Sequence, residues 1–495
     1  MKKTVLVISF FIAISVNFAH SQNTQSGNQN NSEQGFTNAA TFGFSPQASG
    51  IENMNALQKA VDKTGTIIVS TPGVYHVAGT VYVGSNTTVK FGNGVILKKV
   101  NEQGPFSHVI INKGAATKTY DEHIVIDGLS IIVNGIDTRT FKEAYGLHGQ
   151  LAFFYIKDLR IEHFRCPDLG PAQYGIHVCT FEDIVINDVI IKGLKDGVHL
   201  GRGKRFTISN GVFETFDDAI ALNAHDYAVG NPELGWIEDG VVENCHDLNA
   251  EKTTGFFCRI LAGAWLDWKP GMTVQQSDAV VSNGKIYRVS MKADGKTYKS
   301  VTRPDFSNRQ MTLDSINWVL VQNDPVYTCG VRNVTFRDIY LEKPRIGFSV
   351  HFDNDRFSRS YYPGAEVPKQ EQLVFDNIRV LHNKPIDFLS VNTPMDVVTI
   401  VNSSLRAGGI NFHGNKAMND YLETIINMSN CVFNQPGKMT LLKNSVDGKR
   451  ITLKTSSSVA VNKDFIAVTV PGNGIIKVQS DLKGIENRQI MKSKK

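Results

Sequence analysis

The feature that most constrains this chain is a short unit that recurs from about residue 124 onward. An apolar residue is followed two places on by a small or polar one, usually Asn or Asp, and two places further by another apolar residue. Its anchors are Ile161, Ile186, Ile208, Val242, Phe336, Phe375, Ile400 and Met428, with a weaker copy at Ile126. The second positions are His163, Asp188, Asn210, Asn244, Asp338, Asn377, Asn402 and Asn430. Anchors lie 25 and 22 residues apart from Ile161 to Ile208, and 25 and 28 apart from Phe375 to Met428. A second strand follows, as in Gly175-Ile176-His177-Val178, Gly197-Val198-His199-Leu200, Ala219-Ile220-Ala221-Leu222 and Gly347-Phe348-Ser349-Val350. One such unit cannot bury its apolar face alone, whereas stacked units share a core and pair every strand edge except those at the ends. Asn and Asp suit the corner because they tolerate left-handed backbone and can hydrogen-bond along the stack. The pattern therefore predicts an all-β chain wound as a parallel β-helix, or β-solenoid. Its hand is expected to be right-handed, from the chirality of parallel crossovers. Long amphipathic helices between the strands, which an α/β fold needs, are missing from the sequence.

Around this body the chain divides further. Lys2 and Lys3 precede an apolar run from Val5 to Val16, and Ala19-His20-Ser21 follows. This reads as a signal peptide over 1–21, cleaved after Ser21, giving a secreted or periplasmic protein. No later run reaches the length of a membrane span, so no membrane insertion is expected. Residues 22–48 read as a flexible leader, with Asn23 to Gly35 rich in Asn, Gln, Ser and Gly. Met54, Leu57 and Val61 at helical spacing predict a short N-terminal capping helix, which Gly65 can end. The β-helix is expected over 49–264 and 331–450. The 94 residues between Val242 and Phe336 exceed any coil, and 265–330 reads as a small β-rich insert. That insert carries Trp265, Trp268, Tyr287, Tyr298 and Trp318, and Asn283-Gly284 marks a hairpin. Its aromatic residues could fill its own core or meet sugar. Residues 451–495 read as a C-terminal β-rich cap and tail.

The net charge is +5, a small surplus that suits an acidic substrate, but no polybasic run marks a nucleic-acid partner. The six cysteines form no Cys-x-x-Cys pair, which argues against zinc. They read as buried thiols with one or two bridges.

Chemistry is expected at one corner of the stack. His177, His199 and Ala221 are 22 residues apart, and so are Asp196 and Asp218 just ahead of the same strands. Asp196 should sit over Asp218 at about 5 Å, the distance between neighbouring strands, with Asp217 beside them. Carboxylates this close raise at least one pKa. A protonated carboxyl beside an ionised one is what glycoside hydrolysis requires. A calcium site, or turn aspartates bonded to backbone amides, would use the same residues.

The sequence Asp196-Gly197-Val198, then Thr207-Ile208-Ser209-Asn210, then Asp217-Asp218-Ala219-Ile220-Ala221-Leu222 resembles glycoside hydrolase family 28, the polygalacturonases. The resemblance is strong over about 60 residues and architectural over about 100–440. It implies a right-handed parallel β-helix and an inverting mechanism. Asp217 would be the general acid, while Asp196 and Asp218 hold and activate water. An inverting pair is expected to stand about 6.5–9.5 Å apart. Leu194-Lys195 replaces the family's Asn-Thr, Thr253-Thr254-Gly255-Phe256 stands where Gly-His-Gly would be, and Arg259-Ile260-Leu261 lacks the lysine of Arg-Ile-Lys. These positions help bind uronate in the family, so the substrate is expected to be a polysaccharide or oligosaccharide other than plain polygalacturonan. Galactosyl, uronyl and modified sugars are the candidates, anionic ones among them. His177, His199, Arg202, His225, Arg259 and His351 are the expected substrate-binding residues. Arg259 is best suited to an anionic group, and Arg205 is a weaker candidate.

No cofactor or metal is expected for hydrolysis. A polysaccharide lyase would instead use the trio for Ca²⁺ and Arg259 or His199 as base. A non-catalytic glycan-binding solenoid, using the aromatic insert, is the remaining alternative.

Overall fold

The computed structural model describes residues 35–491, apart from 139–142, 228–229, 250–252, 292–293, 355–357, 407, 414–422, 435–438, 462–465, 483–484 and 486–487. The signal peptide expected over 1–21 lies outside the described residues.

The chain is a right-handed parallel β-helix. One sheet of 31 strands, among the described residues, coils into three parallel columns. In the longest column all nine anchors stand in register. Ile126 pairs with Ile161, Ile161 with Ile186, Ile186 with Ile208, Ile208 with Val242 and Val242 with Phe336. Phe336 then pairs with Phe375, Phe375 with Ile400 and Ile400 with Met428. These side chains fill the core. Phe336 stacks on Phe375 at 5.4 Å, with Phe348 edge-on to both. The residue two places after each of the eight strong anchors has φ between 49 and 55°, the left-handed corner that Asn and Asp adopt at low cost. Side-chain amides bond along the stack there, Asn244 to Asn210 at 2.6 Å and Asn430 to Asn402 at 2.8 Å.

The N-terminal end is closed by a helix, Gly50–Val61, whose Ser49 and Glu52 form a capping box. It stops at Val61, short of Gly65, which already opens the strand Gly65–Val69. The expected leader ends earlier than residue 48. Thr37–Asn38 adds a parallel strand to Ile67–Ile68, while Ala39 and Phe44 are buried, Phe44 stacking on Tyr75 at 4.5 Å. Two apolar anchors are what the Asn-rich stretch before them lacks. Parallel stacking continues to Ile475–Ser480, and the antiparallel strand Gln489–Met491 ends it.

Between Leu266 and Gln322 lies a separate five-stranded sheet, whose Ala279, Val281, Ile286 and Val321 pack against the core of the coils. Asn283 and Gly284, both at positive φ, turn the hairpin from Ala279–Ser282 to Lys285–Val289. Trp268, Tyr287, Phe306 and Trp318 form its core with Val280 and Ile316. Trp265 is buried as well. These rings fill a small core, and none of the four Trp and Tyr residues Trp265, Trp268, Tyr287 and Trp318 is presented as a sugar platform. All six cysteines are buried and unpaired, so the expected bridges are not formed. Among the described residues no helix is long and apolar enough to cross a membrane.

Candidate active site

The corner preceding the strands Val198–Leu200 and Ile220–Asn223 carries the aspartates. Backbone bonds from Gly175 N–H to Asp196 O (2.9 Å) and from Gly197 N–H to Asp218 O (3.0 Å) put Tyr174, Asp196 and Asp218 on successive rungs. Lys195 and Asp217 occupy the adjoining positions of the same two coils, and their side chains form an ion pair. One oxygen from each of Asp196, Asp217 and Asp218 lies within 4.8 Å of the others. The three carboxyls thus meet at one corner, as expected from the stacking of the two coils.

The corner is tightly built. A Cβ on Gly255 would fall 2.3 Å from the Asp217 carbonyl carbon and 2.5 Å from the Asp218 nitrogen, so only glycine fits there. Arg345 donates through Nη1 to the Asp217 carbonyl (2.7 Å) and grips the buried Asp247 carboxylate through Nε and Nη2. Asp218 Oδ1 accepts the Phe256 N–H at 2.8 Å. Asp196 and Asp218 are almost fully buried, whereas the Asp217 side chain keeps 26% of its surface.

Burial, then the charge of Asp217, raises the Asp196 carboxyl above the ordinary range, although His199 opposes the shift. Burial and the charges of Asp196 and Asp217 push Asp218 well above it. Burial works against the Lys195 ammonium, yet Asp196, Asp217 and Asp218 together hold its pKa up. The corner thus holds a proton more tightly than ordinary aspartates do.

The expected binding residues separate into two groups. His199 belongs to the corner. Its Nδ1 meets Asp196 Oδ2 at 2.8 Å, its Nε2 lies 3.3 Å from Asp226 Oδ2, and its ring stacks on Tyr174 at 4.2 Å. His351 lies nearby, edge-on to Phe256, with Asp353 at 3.3 Å. The others are engaged within the protein. His177 Nδ1 accepts the His148 N–H, so Nε2 carries the proton and donates it to Asn231 (3.0 Å). Arg202 is held by Glu233 and Asp324. His225 is buried against Trp265, and burial pushes its pKa down to about 3. Arg259 donates through Nη2 to both oxygens of Asp353 at 2.8 Å. Arg205 pairs with Glu182 and Asp183 on the surface.

His177 and His199 stand in the outward column with Ala221 and Arg259, as the 22-residue spacing indicates, but both are fully buried. Asn231 lies against His177 and Asp226 against His199. Asn231 donates to the Asn223 carbonyl, Asn223 donates to Asp226, and Arg288 of the insert donates to the Asn231 carbonyl. Lys195 and Tyr174 were missed although the same interval of 22 links them to Asp217 and Asp196. Asp226 and Asp353 follow their strands in non-repeating segments and carry no such signal.

No protein-family model matches the chain, and no curated protein sequence matches it. Solved structures do share the fold. The catalytic unit of the family 87 α-1,3-glucanase of Streptomyces thermodiastaticus is 11% identical, with a TM-score of 0.52, covering 91% of this chain and 68% of that one. The family 28 exopolygalacturonase of Yersinia enterocolitica is 11% identical, with a TM-score of 0.47, over 92% of this chain and 79% of that one. The mannuronan C-5 epimerase A-module of Azotobacter vinelandii is 10% identical, with a TM-score of 0.48, over 91% and 100%. At these identities the likeness is one of fold, that of the parallel β-helix.

Proposed function

We propose that this chain hydrolyses glycosidic bonds in a polysaccharide or oligosaccharide, with the aspartate corner as acid and base. The observation that carries the reading is the convergence of Asp196, Asp217 and Asp218 within 4.8 Å, two of them raised by burial and by one another. A structural corner gains nothing from three clustered carboxylates, which destabilise it. A glycosidase needs one carboxyl protonated beside another ionised. An α-1,3-glucanase catalytic unit built on the same fold is compatible with this use.

Asp217 is the member that reaches solvent, and it takes the acid's role that the family 28 resemblance gives it. In that role Asp217 takes up a proton before each turnover and gives it to the leaving oxygen, while a neighbouring ionised carboxylate accepts the proton of the attacking water. Lys195 is ion-paired to Asp217 and so bears directly on its charge. Asp196, held by His199, and Asp218, held by Phe256 N–H, orient the attacking water. Inversion at the anomeric centre is what the family 28 resemblance implies for this trio.

The test is a glycan panel read three ways. New reducing ends that survive chelation support hydrolysis. Unsaturated products absorbing in the ultraviolet, with activity lost to a chelator, would instead establish a lyase with the trio as a Ca²⁺ site. Proton NMR of the first-formed anomer separates a water-activating role for Asp196 and Asp218 from a covalent nucleophile among them.

A further inference from the structure

Building on that reading, we propose that the site takes an uncharged glycan, and that Asp353 enforces this by occupying the guanidinium of Arg259. Arg259 stands in the outward column one coil beyond Ala221, three residues after Phe256, which itself binds Asp218. It is the arginine placed to meet a sugar carboxylate beside the trio. A guanidinium recognises a carboxylate through charge-assisted hydrogen bonds, and here both Asp353 oxygens already receive them at 2.8 Å. The pair is almost enclosed, with the two side chains 11% and 7% exposed, and Tyr227 lies against the guanidinium at 5.6 Å. His351 adds a second contact to Asp353 at 3.3 Å. Arg259 and His351 hold the Asp353 carboxyl well below its usual range even though burial opposes this, so it stays ionised on the arginine.

The other cations described around the corner are engaged in the same way. Lys195 pairs with Asp217 and Arg345 with Asp247. Arg202 pairs with Glu233 and Asp324. Lys195, Arg202, Arg259 and Arg345 therefore each already hold a carboxylate. A uronate or sulfate group entering the site would meet like charge and find its natural partner filled. A neutral sugar needs only hydroxyl hydrogen bonds, and pays neither cost.

Binding is measured on the full chain carrying Asp217→Asn, so that affinity is read whether or not the natural chain turns substrate over. The probes are an array of neutral and uronate oligosaccharides, each uronate paired with its carboxyl-reduced form. Expected are hits on neutral sugars, with each uronate about tenfold or more weaker than its reduced partner and strengthened by added salt. Asp353→Asn, placed in the same background, keeps the side-chain shape and removes the charge. It is expected to raise uronate affinity about tenfold relative to neutral sugars. A uronate oligosaccharide bound as tightly as its reduced form, or better, overturns the proposal. So does a folded Asp353→Asn chain whose uronate-to-neutral ratio is unchanged. Failure of the hydrolase reading shows separately, as the absence of new reducing ends from the natural chain.

Discussion

Ile176 and Val198 point into the helix, while His177 and His199, one residue further along the same strands, point out of it. All four are fully buried. The inward pair is covered by its own repeat, since each coil meets the same kind of residue above and below. The outward pair is covered by Asp226 and Asn231, and the insert reaches Asn231 through Arg288. The inner column is redundant and tolerant of exchange among apolar residues. The outer column is singular at each rung, running His177, His199, Ala221, Arg259 and Ser349. Chemistry collects on the outer side because residues there need not fill a shared core.

The largest effect that would test this contrast is on turnover. Asp217→Asn should lower kcat by about 10²- to 10⁴-fold, the contribution of a positioned acid, with an unchanged melting temperature. A loss matched by unfolding would mean the corner is structural. On the inner side, Phe336→Ala should cost about 3–5 kcal/mol in denaturant unfolding, as a fully buried ring whose partners Phe348 and Phe375 cannot collapse into the gap. The activity of the molecules that remain folded should persist.

Lys195→Met is expected to act through charge. Removing the ammonium beside Asp217 raises the proton affinity of the corner, so the alkaline limb of the pH–rate profile should move to higher pH. An unmoved limb would leave Lys195 without a part in the proton's placement.

Asp218→Asn should separate stability from function. The folded chain binds the Asp218 proton more tightly than the unfolded chain, so this group withdraws stability as pH rises from its ordinary 3.8 toward the raised folded value. The variant should therefore melt higher than the natural chain near neutral pH, lose that advantage on acidification toward 3.8, and be inactive throughout. The smallest effect is expected at the corners. Asn244→Ala should cost about 1 kcal/mol, because alanine resists the left-handed backbone and the amide bond to Asn210 is lost.

Much of the architecture was legible. The anchors from Ile126 to Met428 form one register because stacking imposes the same environment on each coil, and selection for that environment leaves a period. The interval of 22 also put Asp196 over Asp218, and read once more it would have found Tyr174 and Lys195. The edges were less legible. Residues 37–48 pack because of two apolar side chains, Ala39 and Phe44, too few to show as a pattern.

The sequence by itself determined the all-β repeat, the left-handed corners and the meeting of three aspartates, since each follows from spacing along the chain. Tertiary structure decided which histidines and arginines remain for a ligand. Arg259 meets Asp353 across 94 residues, and Arg202 meets Asp324 across 122. Those partners sit in segments that have no period, and only the folded chain brings them within the few ångströms over which an ion pair forms.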